Sequence, residues 1–255
     1  MPWTRRTTRT LLLASGALAA LAPIAHAANT QTLDTAVELL KQSPGGPWDI
    51  GLNIVGGVGT PDGSKPIPLK KAVFLFPHAT VNTKAFPTCD AVKLQKAPTT
   101  KTCPRASRLG SGEALVDARP FINPERATIT MFNGKPKGGK PHFLFLGNAE
   151  HFEINLVIDA TLQKTNGRYG YKLSMAFPDI PTLPNNPNAS ISKLDVDVKA
   201  FGRIRGKRVS LLQAPTSCPR GGWRFDSTFG YADGSSTSAG STIDCVLQGR
   251  PEPIG

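Results

Sequence analysis

The sequence predicts an all-β protein, a β-sandwich of about ten short strands in an Ig-like or jelly-roll-like arrangement. Three observations lead there. Short apolar–polar alternations recur along the chain after Trp48. Glycine and proline, 25 and 23 in number, punctuate them at turns. Four cysteines sit in a chain that opens on an export-like segment, so two disulfides are expected to staple the sheets.

Residues 1–27 have the pattern of a signal peptide. "MPWTRRTTRT" carries Arg5, Arg6 and Arg9 without an acid, "LLLASGALAALAPIA" is apolar, and Ala25-His26-Ala27 is a small-x-small cleavage signature. The apolar run is too short, and too interrupted by small residues, for a membrane span of roughly 20 residues. Arg5-Arg6 suits the twin-arginine route, but Thr8 stands where that signal has a large apolar residue, which favours general secretion. The expectation is a secreted, extracellular protein with no membrane span. Residues 28–47 form an N-terminal segment in which "TLDTAVELLKQ" fits a short amphipathic helix stopped by "SPGGP". Residues 48–255 then make the sandwich domain.

Within that domain "LKKAVFLFP" (Leu69–Pro77), "GEALVDA" (Gly112–Ala118), "ATITMF" (Ala127–Phe132) and "HFLFLG" (His142–Gly147) have strand composition. The clearest strand is "FEINLVIDATLQ" (Phe152–Gln163), where Phe152, Ile154, Leu156, Ile158, Ala160 and Leu162 alternate with polar residues. Asn166-Gly167 follows, a pair that tolerates the positive φ angles of a hairpin turn. The return strand "RYGYKLSMAF" sets Tyr169, Tyr171, Leu173, Met175 and Phe177 on one face. "FPDIPTLPNNPNAS" is a long irregular connection, and "KLDVDVKAF" and "RVSLLQAP" are the next strands. In the last hairpin Trp223, Phe225, Phe229 and Tyr231 share one face, with a polar turn near Asp233-Gly234. That register puts Cys245 opposite about Gly222, so a bridge to Cys218 requires "PRGG" to fold back, which two glycines permit.

Proximity pairs Cys89 with Cys103 and Cys218 with Cys245. The first loop is worth roughly 3 kcal/mol by loop-closure entropy. A zinc site needs close cysteine pairs on one tight turn, and neither spacing supplies them. "LQKAPTTKTCPR" and "LQAPTSCPR" share LQ, APT and CPR in order. The partner cysteine precedes the first copy and follows the second, which favours a shared local geometry over duplication.

Catalytic signatures are scarce. His78, His142 and His151 form no H-E-x-x-H or H-x-H pair. "LGSGEA" lacks the spacing of a nucleophile elbow, and "GGVGTPDG" lacks the lysine and helix of a phosphate loop. Glu150 and Glu153 beside His151 have opposite strand parity, unlike the facing carboxylates of a glycosidase. Asp195 and Asp197 lie between Lys193 and Lys199, poor surroundings for calcium. No catalytic residue, metal ligand or cofactor is assigned. Trp48, Trp223 and Tyr231 are the aromatic candidates for ligand contact, core packing being their commoner use. The net charge of +12 loses three arginines with the signal. Its densest cluster, "GRIRGKR", offers Arg203, Arg205, Lys207 and Arg208 to a polyanion, but the other lysines scatter along the chain, as solubility alone requires.

The run "LKKAVFLFPHATVNTKAFPTCDAVKLQ…TCPRASRLGSGEALV…ATITMFNG", followed by "LQAPTSCPRGGWRFDSTFGYADGS…C", resembles a group of secreted β-rich proteins common in actinobacteria. Their pattern is F-P-x-C, C-P-x-x-S-x-x-G-x-G, an N-G turn, C-P-x-x-W-x-F and Y-x-D-G…C, matched here over most of residues 65–245. The resemblance implies a secreted β protein with the same cysteine pairing and carries no catalytic residue or ligand. The expected function is an exported, non-enzymatic binding or structural module of the cell envelope or extracellular space. Its partner would be a cell-wall or extracellular polymer, with no specific nucleic acid. The alternatives are a secreted carbohydrate-active hydrolase and a basic polyanion-binding protein.

Overall fold

Among the described residues, alternating inward apolar and outward polar side chains carry the chain through fifteen strands. The structure, a computed structural model, describes residues 27–42, 47–152, 154–183, 186–215 and 218–245. The expected signal segment therefore lies outside the described residues, apart from Ala27.

Strands β1 (Thr30–Gln42) and β2 (Trp48–Gly59) pair antiparallel, and β3 (Leu69–Phe76) follows. An excursion over residues 77–107 holds β4 (Thr80–Val81), a 3-10 turn at Thr83–Ala85 and the short helix α1 (Ala91–Lys96). Then β5 (Arg108–Ala118), β6 (Ile122–Lys137), β7 (Lys140–Ala149), β8 (Asn155–Lys164) and β9 (Tyr171–Ala176) run as an antiparallel meander. β10 (Ser190–Val198) slots between β5 and β2. β11 (Phe201–Ile204) and β12 (Lys207–Ser210) make a separate hairpin, and β13 (Leu212–Gln213) joins the edge of β2. The chain ends with β14 (Trp223–Tyr231) and β15 (Ser236–Ile243), β14 also pairing with β3.

The sheet curls until its outermost long strands, β1 and β15, face each other. They meet through side chains: Thr35 Oγ1 donates to Ser241 Oγ at 2.9 Å, and Thr237 Oγ1 donates to Gln31 Oε1 at 2.8 Å. Two free edges are thereby covered, which protects strands otherwise open to pairing with another chain. The curl creates two facing walls. Gly56 on β2 lies so near Phe229 on β14 that a Cβ there would meet the ring at 3.3 Å. The all-β, sandwich-like class expected from sequence is what forms, with more strands than ten. The strand order is not the Ig or jelly-roll one. Short turns make β5 to β9 successive neighbours in one continuous sheet instead of dividing them between two.

The helix expected in "TLDTAVELLKQ" is a strand. Leu33, Val37 and Leu40 satisfy a helical period, but Leu33, Val37 and Leu39 satisfy a strand equally. β2 offers a free hydrogen-bonding edge from Trp48 to Gly59 that only a strand can fill. The hairpin expected around Asn166-Gly167 forms, with Gly167 at φ 89°. Its loop is longer than two residues, being closed by Thr165 N–H donating to Gly170 O at 3.0 Å.

Both disulfides pair as expected, with Cα–Cα distances of 5.0 Å for Cys89–Cys103 and 5.8 Å for Cys218–Cys245. The first ties down a small outer core of Leu94, Phe132, Leu144 and Leu146, covered by α1. Asp90 caps that helix by accepting from the Val92 and Lys93 N–H groups. The second closes the last hairpin, where Gly221 and Gly222 adopt φ of 84° and 79° and turn the chain back.

Candidate functional site: an apolar interior

The walls converge on a space that packing leaves unfilled. Val196 and Leu52 project into it from β10 and β2, and Phe74, Leu173, Phe145 and Trp223 from the other strands. The cavity measures about 120 Å³, and its walls expose only apolar atoms. A second cavity of about 100 Å³ lies toward the other end of the sheet, among Val116, Ile129, Ile158, Phe121 and Leu183. Leu194 on β10 lines both. Phe121 and Leu183, beside the second cavity, are 42% and 54% exposed. Apolar walls offer water no hydrogen-bond partners, so such space favours an apolar group. A benzene-sized group fits in roughly 150 Å³.

The aromatic candidates fall in different places. Trp223 is buried in the wall of the larger cavity, its Nε1 without a hydrogen-bond partner. Tyr231 is buried near the opposite end, its hydroxyl 2.6 Å from Thr237 Oγ1, and burial pushes its pKa up. Trp48 is half-buried against the core at the start of β2. The basic candidates Arg203, Arg205, Lys207 and Arg208 are all exposed on the β11–β12 hairpin. Arg205 and Gly206, at φ 49° and 78°, form its tip. The Arg208 guanidinium lies 3.9 Å above the Phe201 ring, a cation–π contact.

Two polar constellations escaped the sequence reading. Glu125, 3% exposed, borders the second cavity. It accepts from the His151 backbone N–H at 2.8 Å, and its other oxygen lies 3.0 Å from His151 Nδ1. Burial pushes its pKa up, but these bonds outweigh burial and leave it below the ordinary value. Both oxygens are thus engaged in holding the β7–β8 connection on β6. The sequence paired His151 with Glu150 and Glu153; Glu153 lies outside the described residues. His142 is the second case, 1% exposed and 2.9 Å from Asp159 Oδ1, though misaligned for a hydrogen bond. Neither signal was local, since both partners arrive from other strands.

Asp195 pairs with Lys193 at 2.9 Å and accepts from Asn53 at 3.0 Å, contacts that hold its pKa down, the lysine most. Among the described residues no three acidic, histidine or cysteine side chains gather as metal ligands, and no helix is long and apolar enough to cross a membrane. Comparison with protein-family models, curated proteins and solved structures returns no match.

Proposed function

We propose that the protein is an exported, non-enzymatic binding module that holds an apolar group inside its curled sheet. The observation that carries this reading is the larger of the two apolar cavities, whose walls expose only apolar atoms between β2, β10 and the facing strands. Such walls present no nucleophile, proton donor or acceptor to a reacting bond, so they favour retention over catalysis. Export rests on the N-terminal signal pattern, and the two disulfides are consistent with an oxidising compartment. An alkyl or aryl group is the ligand chemistry that these walls suit.

Titration with N-phenyl-1-naphthylamine tests it, because the dye brightens in apolar surroundings and needs only one ring in the cavity, the rest lying toward the end lined by Val81, Leu212 and Pro215. The protein should bind it saturably. Leu52→Trp and, separately, Val196→Phe should weaken binding at least tenfold by filling the cavity. Overpacking costs roughly 1–3 kcal/mol, so thermal melts must show both variants folded. No saturable brightening with the folded wild type, or equal binding by both folded variants, would overturn the proposal.

A further inference from the structure

The strand directions give the sheet two ends of opposite electrical character. One end collects the β3–β5, β6–β7, β8–β9 and β10–β14 connections. Residues 199–222 alone bring Lys199, Arg203, Arg205, Lys207, Arg208 and Arg220 there without an acid. The β6–β7 turn adds Lys135, Lys137 and Lys140, and the β8–β9 turn adds Arg168. The connections at the other end carry Asp62, Glu150, Asp179 and Asp233. One of their cations, Arg119, is paired with Asp117. Lysines dispersed in sequence therefore converge in space, and the charge is a field with a direction.

We propose that this basic end is a docking face for membranes of anionic phospholipid, with the β11–β12 hairpin as its tip. Some cations there are internally paired: Lys135 with Asp90, Lys137 with Asp159 and Lys199 with Glu38. Among the described residues, Arg203, Arg205, Lys207 and Arg208 have no acid within ion-pair distance. The hairpin is firmly seated, since a Cβ at Gly202 would come within 2.3 Å of the Ala85 carbonyl oxygen. Its tip exposes Ile204, 38% accessible, between Arg203 and Arg205. A charged polymer would use the arginines and leave Ile204 idle. A bilayer uses both, drawing cations to phosphate and seating an apolar side chain among the acyl chains. The larger cavity also reaches this end, where Val81, Leu212 and Pro215 line it. Docking would turn that cavity toward the source of apolar chains, which rests on the binding proposal; the docking itself does not.

Co-sedimentation of the protein with vesicles tests the proposal. It should bind equimolar phosphatidylglycerol–phosphatidylcholine vesicles at low salt, ignore pure phosphatidylcholine, and weaken more than tenfold in half-molar salt, since screening shortens electrostatic reach. Each surface cation is worth roughly fivefold in partitioning, so Arg203→Gln/Lys207→Gln should lose about twentyfold or more. Ile204→Ala should lose several-fold on anionic vesicles while binding heparin as the wild type does. Absence of vesicle binding overturns the inference. So does an Ile204→Ala variant that keeps full vesicle binding while heparin competes equally, which would mark a general polyanion site. Naphthylamine binding by the double variant should stay unchanged, so failure of docking and failure of the cavity reading remain distinguishable.

Discussion

His142 and Asp117 are two buried groups through which acid reaches the fold, and they titrate in different windows. His142 sits on β7 directly opposite Gly134, where a Cβ would approach its Nδ1 to 2.7 Å. Burial pushes its pKa below 6.5 and Lys137 adds to that, while Asp159 opposes. A histidine kept neutral in the fold but free to protonate when unfolded stabilises the protein above pH 6.5, and that contribution is lost as pH falls below it. Asp117 works lower. Burial pushes its pKa up, but the Arg119 guanidinium and backbone N–H outweigh burial and hold it below 3.8. Its contribution is present above 3.8 and lost as pH falls through the lowered value. Melting temperature against pH should therefore decline in two stages. His142→Gln should remove the upper stage, and Asp117→Asn should reduce the lower one, which Glu125 and Asp195 share, at a cost of about 1–3 kcal/mol at neutral pH. A single decline unaffected by either change would refute the assignment. Neither residue's burial was legible in sequence: His142 lies against Gly134 of β6 and Asp117 opposite Ser190 of β10, although the partner of Asp117, Arg119, is only two residues away.

At the scale of elements, legibility follows how much of a strand's surroundings its own alternation encodes. β8, β9 and β14 have one wet face and one dry face, and their period of two is unambiguous. β1 is an edge strand with apolar residues spaced to suit either helix or strand, and only the open edge of β2 decides. The last hairpin shows how far local reasoning reaches. Its aromatic face, its turn and the fold-back before Trp223 all follow from residue type and parity. Sequence does not distinguish the two glycines of that fold-back. Gly221 has open space where a Cβ would stand, whereas a Cβ at Gly222 would lie 2.5 Å from the Ile243 carbonyl oxygen. Gly221→Ala should cost about 1–2 kcal/mol, the penalty of a left-handed residue. Gly222→Ala carries the same penalty and must also displace the backbone that leads to Cys245. Urea denaturation should rank Gly222→Ala as clearly the more damaging; equal costs would mean that close packing against β15 is unimportant.

Across the whole molecule, the cavities belong to no single stretch of chain, which is why alternation and motif reading pass over them; of the charged end, sequence shows the cluster Arg203–Arg208 but not the turns that gather beside it. Sequence identifies the wall residues but not how completely the facing walls fill the space between them. Leu194 is where that matters most, because it lines both cavities. If the two spaces serve one extended ligand, this side chain sets how far a chain threads from the basic end toward Phe121 and Leu183. Leu194→Ala should join the spaces and cost about 2–5 kcal/mol in stability, since the walls cannot fully collapse. Displacement of bound naphthylamine by saturated fatty acids of increasing length reads the effect. The wild type should show a preferred length, and the variant should shift that preference toward longer chains while short acids compete as before. Should the preference stay fixed in a folded variant, the second cavity is no continuation of the first, and the exposed Phe121 and Leu183 have a purpose unrelated to the ligand held beneath Trp223.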